Sequence, residues 1–520
     1  MRAKTEAQKI KIQKFIVRRR RGAFLPLTFQ IPVLYSIFSG FYSIFPLSGN
    51  IFSPESEQLA PIPRQGAKPI IESQTKTPAP GLFAGRFKTD FGIVFSGKSL
   101  SVVLGFVTTL LIARNFSDAE FGIFSAALVV MQTAAIIASL ALDNGLVRYL
   151  SLYLETDRPR AARMLAVAIR IRLASGLAVL VGGYFLSPLL AVGLFGNKPE
   201  LITPLRLAFA GAFFLSLRGL AVSVLQSYRR FFSLSVVELV GPAAKVLAVI
   251  ALLFAASLRP IPVLVLYAAL PLLSAVIGSL LLPRHPPEAG GGRRDVFLEL
   301  FHFSKWVAVS YISGAIFERL DILMLTRYMP QMGEVGVYAL GYRLVAPLLL
   351  VSSSLMLICT PMASRMTTVA EYRNYIASIL KITVPVGLFF CILFPFSGPL
   401  IGFLFRRPLL ETAAAGRVFN ILLVGVVIQV IAAPLTLIAY AESKPQILAY
   451  ADLIRLAVNA AGNYLLIKGA LGFPAWGIYG AAAATALTII AGNAFVLGYV
   501  YRRVLKKSNT QLDRLKEEDF

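Results

Sequence analysis

Apolar stretches long enough to cross a bilayer recur from about residue 91 to residue 503. The clearest, free of Asp, Glu, Lys and Arg, are 121–142, 173–197, 260–283, 344–364, 382–405, 418–441 and 469–501. Each can supply the roughly 20 residues that a hydrocarbon core of about 30 Å demands of a helix. Five weaker stretches carry charges within them: 92–113 with Lys98, 203–227 with Arg206 and Arg218, 234–257 with Glu238 and Lys245, 303–326 with Lys305, Glu318, Arg319 and Asp321, and 446–468 with Asp452 and Arg455. With 469–501 taken as one span from about Trp476, the pattern predicts an all-α integral membrane protein of about twelve transmembrane helices. The spacing leaves no room for a large soluble domain between them.

The polar positions orient this array. Even-numbered loops carry roughly twice as many Lys and Arg as odd-numbered ones, so the positive-inside rule places both ends of the core on the cytoplasmic side. The formal charge of +25 is thereby largely topology, and nucleic acid is not an expected partner. Residues 1–90 read as a basic leader, mobile or lying at the interface, or as an upstream extension of the reading frame. A six-span bundle over 91–283, a cytoplasmic linker over 284–302, a second bundle over 303–503 and a charged cytoplasmic tail over 504–520 complete the expected organisation.

The two halves repeat one another. LIARNFSDAEFGIFSAAL from Leu111 overlays LTRYMPQMGEVGVYALGY from Leu325 with one inserted residue, pairing Arg114 with Arg327, Gly122 with Gly336 and Phe124 with Tyr338. The same offset, about 214 residues, brings VVELVGPAAK near Glu238 over YADLIRLAVN near Asp452. Six spans per repeat is an even number, so the halves are parallel and related by an axis along the membrane normal, around a central cavity.

These stretches, with DNGLVRYLS after the second span, KPQILAYADLIRLAVNAAGNYLLI in the eleventh and GIYGAAAATAL in the twelfth, resemble the polysaccharide-biosynthesis or O-antigen flippases of the multidrug/oligosaccharidyl-lipid/polysaccharide exporter superfamily. The resemblance covers about residues 90–503. It implies a secondary transporter, not an enzyme, that flips a polyprenyl-pyrophosphate-linked oligosaccharide to the outer leaflet by alternating access. Polysaccharide polymerase or export components are its expected partners.

Charges buried in spans are costly, about 2.5 kcal/mol or more each at the bilayer centre, and mark candidate functional groups. Lys98, Arg319, Arg343, Arg148 and Arg218 are the candidates for substrate binding and translocation, with cations suited to a pyrophosphate. Asp321 and Glu318, spaced i, i+3 and expected to share a helix face, are the candidates for coupling Na⁺ or H⁺. The alternative for Glu318, Arg319 and Asp321 is a cluster that only pins span 7 to its neighbours. Gln132, Gln429, Asn459, Asn463 and Asn493 read chiefly as interhelical hydrogen-bonding residues.

No cofactor or metal is expected. His285 and His302 have no further ligands at metal-binding spacing, Cys359 and Cys391 sit in apolar runs, and no nucleotide-binding or hydrolase motif is present. Two other functions compete: a multidrug or cation antiporter of the same superfamily, which would share the architecture, and a membrane-embedded glycosyltransferase or polymerase, which would need catalytic acids on a sizeable outer loop.

Overall fold

The computed structural model describes residues 80–282, 294–300, 312–314, 316–363, 366, 368–406, 409–441 and 446–502. The chain divides into units Met1–Thr77 and Pro78–Phe520. The expected leader up to residue 79 and the tail from residue 503 lie outside the described residues, as does most of the linker.

The described part of the second unit is helical. Its first half comprises α1 (Pro80–Asn115), α2 (Asp118–Ser139), α3 (Leu142–Thr156), α4 (Arg158–Leu189), α5 (Ile202–Ser227), α6 (Phe231–Phe254) and α7 (Pro260–Leu280). The second half comprises α8 (Leu320–Tyr328), α9 (Met332–Ala363), α10 (Val369–Cys391), α11 (Leu393–Phe405), α12 (Leu409–Ala441), α13 (Gln446–Lys468) and α14 (Ile478–Val500). Helices satisfy their own backbone groups where lipid offers no partner, which is why uncharged stretches of this length take this form.

Among the described residues, ten helices are long and apolar enough to cross a membrane. The two remaining expected crossings are α13, whose apolar run is interrupted by Asp452, Arg455, Asn459 and Asn463, and the span ending in α8, whose residues 303–311 lie outside the described set. Local chemistry sets the turns. Ser117 and Glu120 form a reciprocal capping box at the start of α2, and Thr368 and Glu371 repeat it at the start of α10. Leu140 and Ala141, both left-handed, turn the chain from α2 into α3.

The helices depart from the expected spans in three places. The basic stretch before residue 173 does not end in a loop: α4 runs unbroken from Arg158, and a π-helical turn, Leu190–Leu194, prolongs it. The expected span 382–405 is built from α10 and α11, interrupted at Ile392. The expected leader boundary at residue 90 falls inside α1.

The halves meet at the face that the charge bias assigns to the outside. There one apolar cluster draws on both: Phe116, Phe121 and Phe124 from the first half join Met329, Val335, Tyr338, Phe405 and Phe419 from the second. At the opposite face the clusters are separate. Leu142, Leu146, Leu150, Tyr153 and Met164 pack with Val296 and Leu300 of the linker, while Cys359, Tyr372, Tyr375, Ile438 and Val500 form a cluster within the second half. The linker's helical piece is therefore carried by the first half.

Candidate functional site

Asp321 opens α8 and is buried, 4% exposed, inside the second half. Its carboxylate accepts hydrogen bonds from the Tyr338 hydroxyl of α9 at 2.7 Å, from Asn459 Nδ2 and Asn463 Nδ2 of α13 at 3.0 and 2.7 Å, and from the Thr485 hydroxyl of α14. Asn459 Oδ1 accepts a further bond from Asn463 Nδ2, while Asn463 Oδ1 is buried with no donor among the described residues. Four neutral donors thus surround a carboxylate, two through N–H and two through hydroxyls. The carboxylate, the two hydroxyl oxygens and Asn463 Oδ1 are the oxygens there that a hard monovalent cation could use, and the carboxylate is the group that could take a proton.

The helix break beside it corrects the expected geometry. Residues 316–317 are helical, 318–319 form a turn and α8 restarts at Leu320, with Arg319 at φ −125° and ψ −3°. The i, i+3 rule presumes an unbroken helix, so Glu318 and Asp321 do not share a face. Glu318 is 65% exposed and pairs at 3.1 Å with Arg319, whose Nε donates to Gln132 Oε1 of α2 at 3.1 Å, tying span 7 to the other half.

A second set of groups is basic and draws on both halves. Lys245 of α6 lies over the Tyr267 ring of α7, 4.4 Å from its centroid, and within electrostatic reach of Arg218 of α5. Arg343 of α9, in the second half, is within electrostatic reach of Tyr267 and of Tyr342. Tyr342 stacks on Tyr338, centroids 6.2 Å apart, and is within electrostatic reach of both Arg343 and Asp321. Glu238 is the carboxylate within reach of Arg218.

Two further sequence-derived candidates have exposed side chains. Lys98 is exposed on α1, one residue from the Gly97 contact with Ser235. Arg148 is exposed on α3 and stacks at 5.8 Å on Tyr149. Lys245, Tyr267, Tyr338 and Thr485 were not among the candidates. Lys245 was recognisable as a lone cation in an apolar span, and Asn459 and Asn463 as an i, i+4 amide pair, but only packing reveals what they face.

The sequence profile described as "polysaccharide biosynthesis protein" matches residues 87–367, more than half of the chain. The chain belongs to the polysaccharide biosynthesis protein family. A probable low-salt glycan biosynthesis flippase of Haloferax volcanii, Agl15, is 27% identical over 208 residues, 39% of this chain and 41% of that protein. The match therefore spans about two fifths of that relative's length. A probable multidrug resistance protein of Rhizobium meliloti, NorM, is 42% identical over 57 residues, 11% of this chain and 12% of that protein.

Among solved structures, the lipid II flippase MurJ in an inward closed conformation superposes with a TM-score of 0.64 at 17% identity, covering 82% of this chain and 93% of that one. An inward-facing multidrug transporter of the MATE family in the MOP superfamily reaches the same TM-score at 13% identity, covering 79% and 96%. This member of the polysaccharide biosynthesis protein family is thus a multi-pass membrane protein with the two-lobed fold of those transporters.

Proposed function

We propose that this chain flips a polyprenyl-pyrophosphate-linked oligosaccharide across the bacterial inner membrane by alternating access, driven by Na⁺ or H⁺ binding at Asp321. The observation that carries this reading is a basic group contributed by both halves: Lys245 over the Tyr267 ring, with Arg343 within electrostatic reach of Tyr267 and Arg218 within electrostatic reach of Lys245. Cations in a low-dielectric interior favour an anionic head group, and a diphosphate can engage two of them at once. Family membership and the likeness to a glycan biosynthesis flippase support the same substrate class.

Coupling rests on Asp321. A carboxylate held by neutral donors changes its hydrogen bonding when a proton or Na⁺ neutralises it, and Tyr338 and Tyr342 link that event to Arg343. The charge bias places the end with separated apolar clusters toward the cytoplasm, where the lipid-linked sugar is made accessible. Lys98 and Arg148 belong, on this reading, to the approach of the anionic head group. Polymerase or export components would take the flipped product.

Deleting the gene and following membrane lipids by mass spectrometry tests the reading. A lipid-linked oligosaccharide is expected to accumulate while surface polysaccharide is lost, with rescue by the intact gene and not by Asp321→Asn or Lys245→Met. Unchanged lipids together with heightened sensitivity to cationic drugs would favour the antiporter, the reading to which the NorM match points.

A further inference from the structure

Apart from Tyr338 and Tyr342, the motif that announces the internal repeat has no part in the buried sites, yet its residues meet one another across the halves. Arg114, ending α1, donates from Nε to the carbonyl of Leu404 at 2.6 Å, in the last turn of α11. Its repeat counterpart Arg327, ending α8, donates from Nη1 to the carbonyls of Gly193, at 2.9 Å, and Leu194, in the π-turn that ends α4. The ends of the third and ninth spans are themselves repeat counterparts, so the two arginines make reciprocal, pseudo-symmetric bonds. Lys198 adds a third arm: its Nζ, buried among the loops, donates to the carbonyls of Met329, at 2.7 Å, and Thr326 where α8 ends.

All three cations bind carbonyls at helix C-termini. The last carbonyls of a helix have no intrahelical donor and carry the negative end of its dipole, so a cation from the opposite half satisfies both needs. The two glycines of the motif make the closest approach. A Cβ on Gly122 would overlap the Met332 carbonyl, and one on Gly336 would overlap the Asp118 carbonyl. These contacts are again related by the repeat, giving α2 and α9 an isologous crossing at the expected outer face.

We propose that Arg114, Lys198 and Arg327, with the Gly122–Gly336 crossing, form a latch that holds the outer face of the transporter shut and must break for the outward-open state. Among the described residues the latch's hydrogen bonds run from cations to carbonyls, and Glu200 and Glu334 are the carboxylates within electrostatic reach of Lys198. This inference rests on the alternating-access reading for its purpose, but its test can be scored without a substrate.

Gly333 and Asp118 supply that test, because a Cβ on Gly333 would lie 3.7 Å from the Asp118 Cβ, within the span of a disulfide. In the full chain carrying Cys359→Ala and Cys391→Ala, Asp118→Cys with Gly333→Cys should cross-link on mild oxidation, read by mass spectrometry of the joined peptides. Adding Lys198→Met with Arg327→Met removes four cation-to-carbonyl bonds and should slow cross-linking at least about tenfold, the change expected from losing even one charge-assisted hydrogen bond from the closed state. Arg114→Gln tests the reciprocal arm, and monodisperse elution checks that each variant is folded. An unchanged rate in both backgrounds would overturn the latch. In flux assays the disulfide should arrest export and a reductant restore it; undiminished flux by cross-linked protein would also overturn it. A chain that cross-links as expected but whose deletion leaves membrane lipids unchanged would sink the substrate reading and leave the latch standing.

Discussion

Burial decides what each ionisable side chain can do. Arg172 is 1% exposed and pairs at 2.6 Å with Asp143, which also accepts a bond from Ser223, so the conspicuous DNGLVRYLS stretch begins with a structural ion pair joining α3, α4 and α5. Removing the carboxylate leaves a buried guanidinium whose other hydrogen-bond acceptor among the described residues is the Ser216 carbonyl. Asp143→Asn should therefore cost about 2 kcal/mol, below the value for a fully buried pair because Asp143 stays partly exposed, read as a lowered thermal midpoint in detergent. Asp321 has the opposite character, a carboxylate whose hydrogen-bond partners among the described residues are all neutral. Asp321→Asn should leave that midpoint within about 1 kcal/mol while abolishing the response of transport to an imposed Na⁺ or H⁺ gradient in vesicles. A retained gradient response would move coupling elsewhere.

Helices and their ends explain why pattern alone misplaced some of these groups. Periodicity treats span 7 as one cylinder, whereas its turn at 318–319 sends Glu318 to the exterior and Asp321 to the interior. At the expected cytoplasmic face α3 is held by its apolar stripe Leu142, Leu146, Leu150 and Tyr153, and the linker is clamped to it through Glu299. Glu299 accepts from the Tyr153 hydroxyl and pairs at 2.8 Å with Arg160, whose guanidinium lies 4.6 Å from the Tyr153 ring centroid. Burial, then the bond to Glu299, pushes the Tyr153 phenol up to about 12. The unfolded chain would lose that proton first, near 10, so the contribution is complete below that pH and disappears as pH rises toward 12. Tyr153→Phe should accordingly lower thermal stability near neutral pH, with the gap to the parent closing at alkaline pH. A gap that stays constant would mean that the phenol's ionisation is not linked to the fold.

At the scale of the molecule, two similar halves share one apolar cluster at one end and keep separate clusters at the other. The charge bias assigns the separated end to the cytoplasm. A fluorescent protein fused after Tyr501 should therefore be bright and an alkaline phosphatase fused there inactive; the reverse would invert the topology. Much of this was legible in the sequence. Span number, the duplication and the basic bias follow from hydropathy, length and charge, because lipid imposes the same requirement on every crossing segment regardless of its neighbours. The buried aspartate was legible for the same reason, since a charge in an apolar run is costly wherever it lands. Its partners were not, because Tyr338, Asn459, Asn463 and Thr485 come together only when α8, α9, α13 and α14 pack. Nor could the repeated Arg and Gly positions disclose that they bind each other's halves: a repeat records similarity, and only the tertiary arrangement about the pseudo-twofold axis turns similarity into contact.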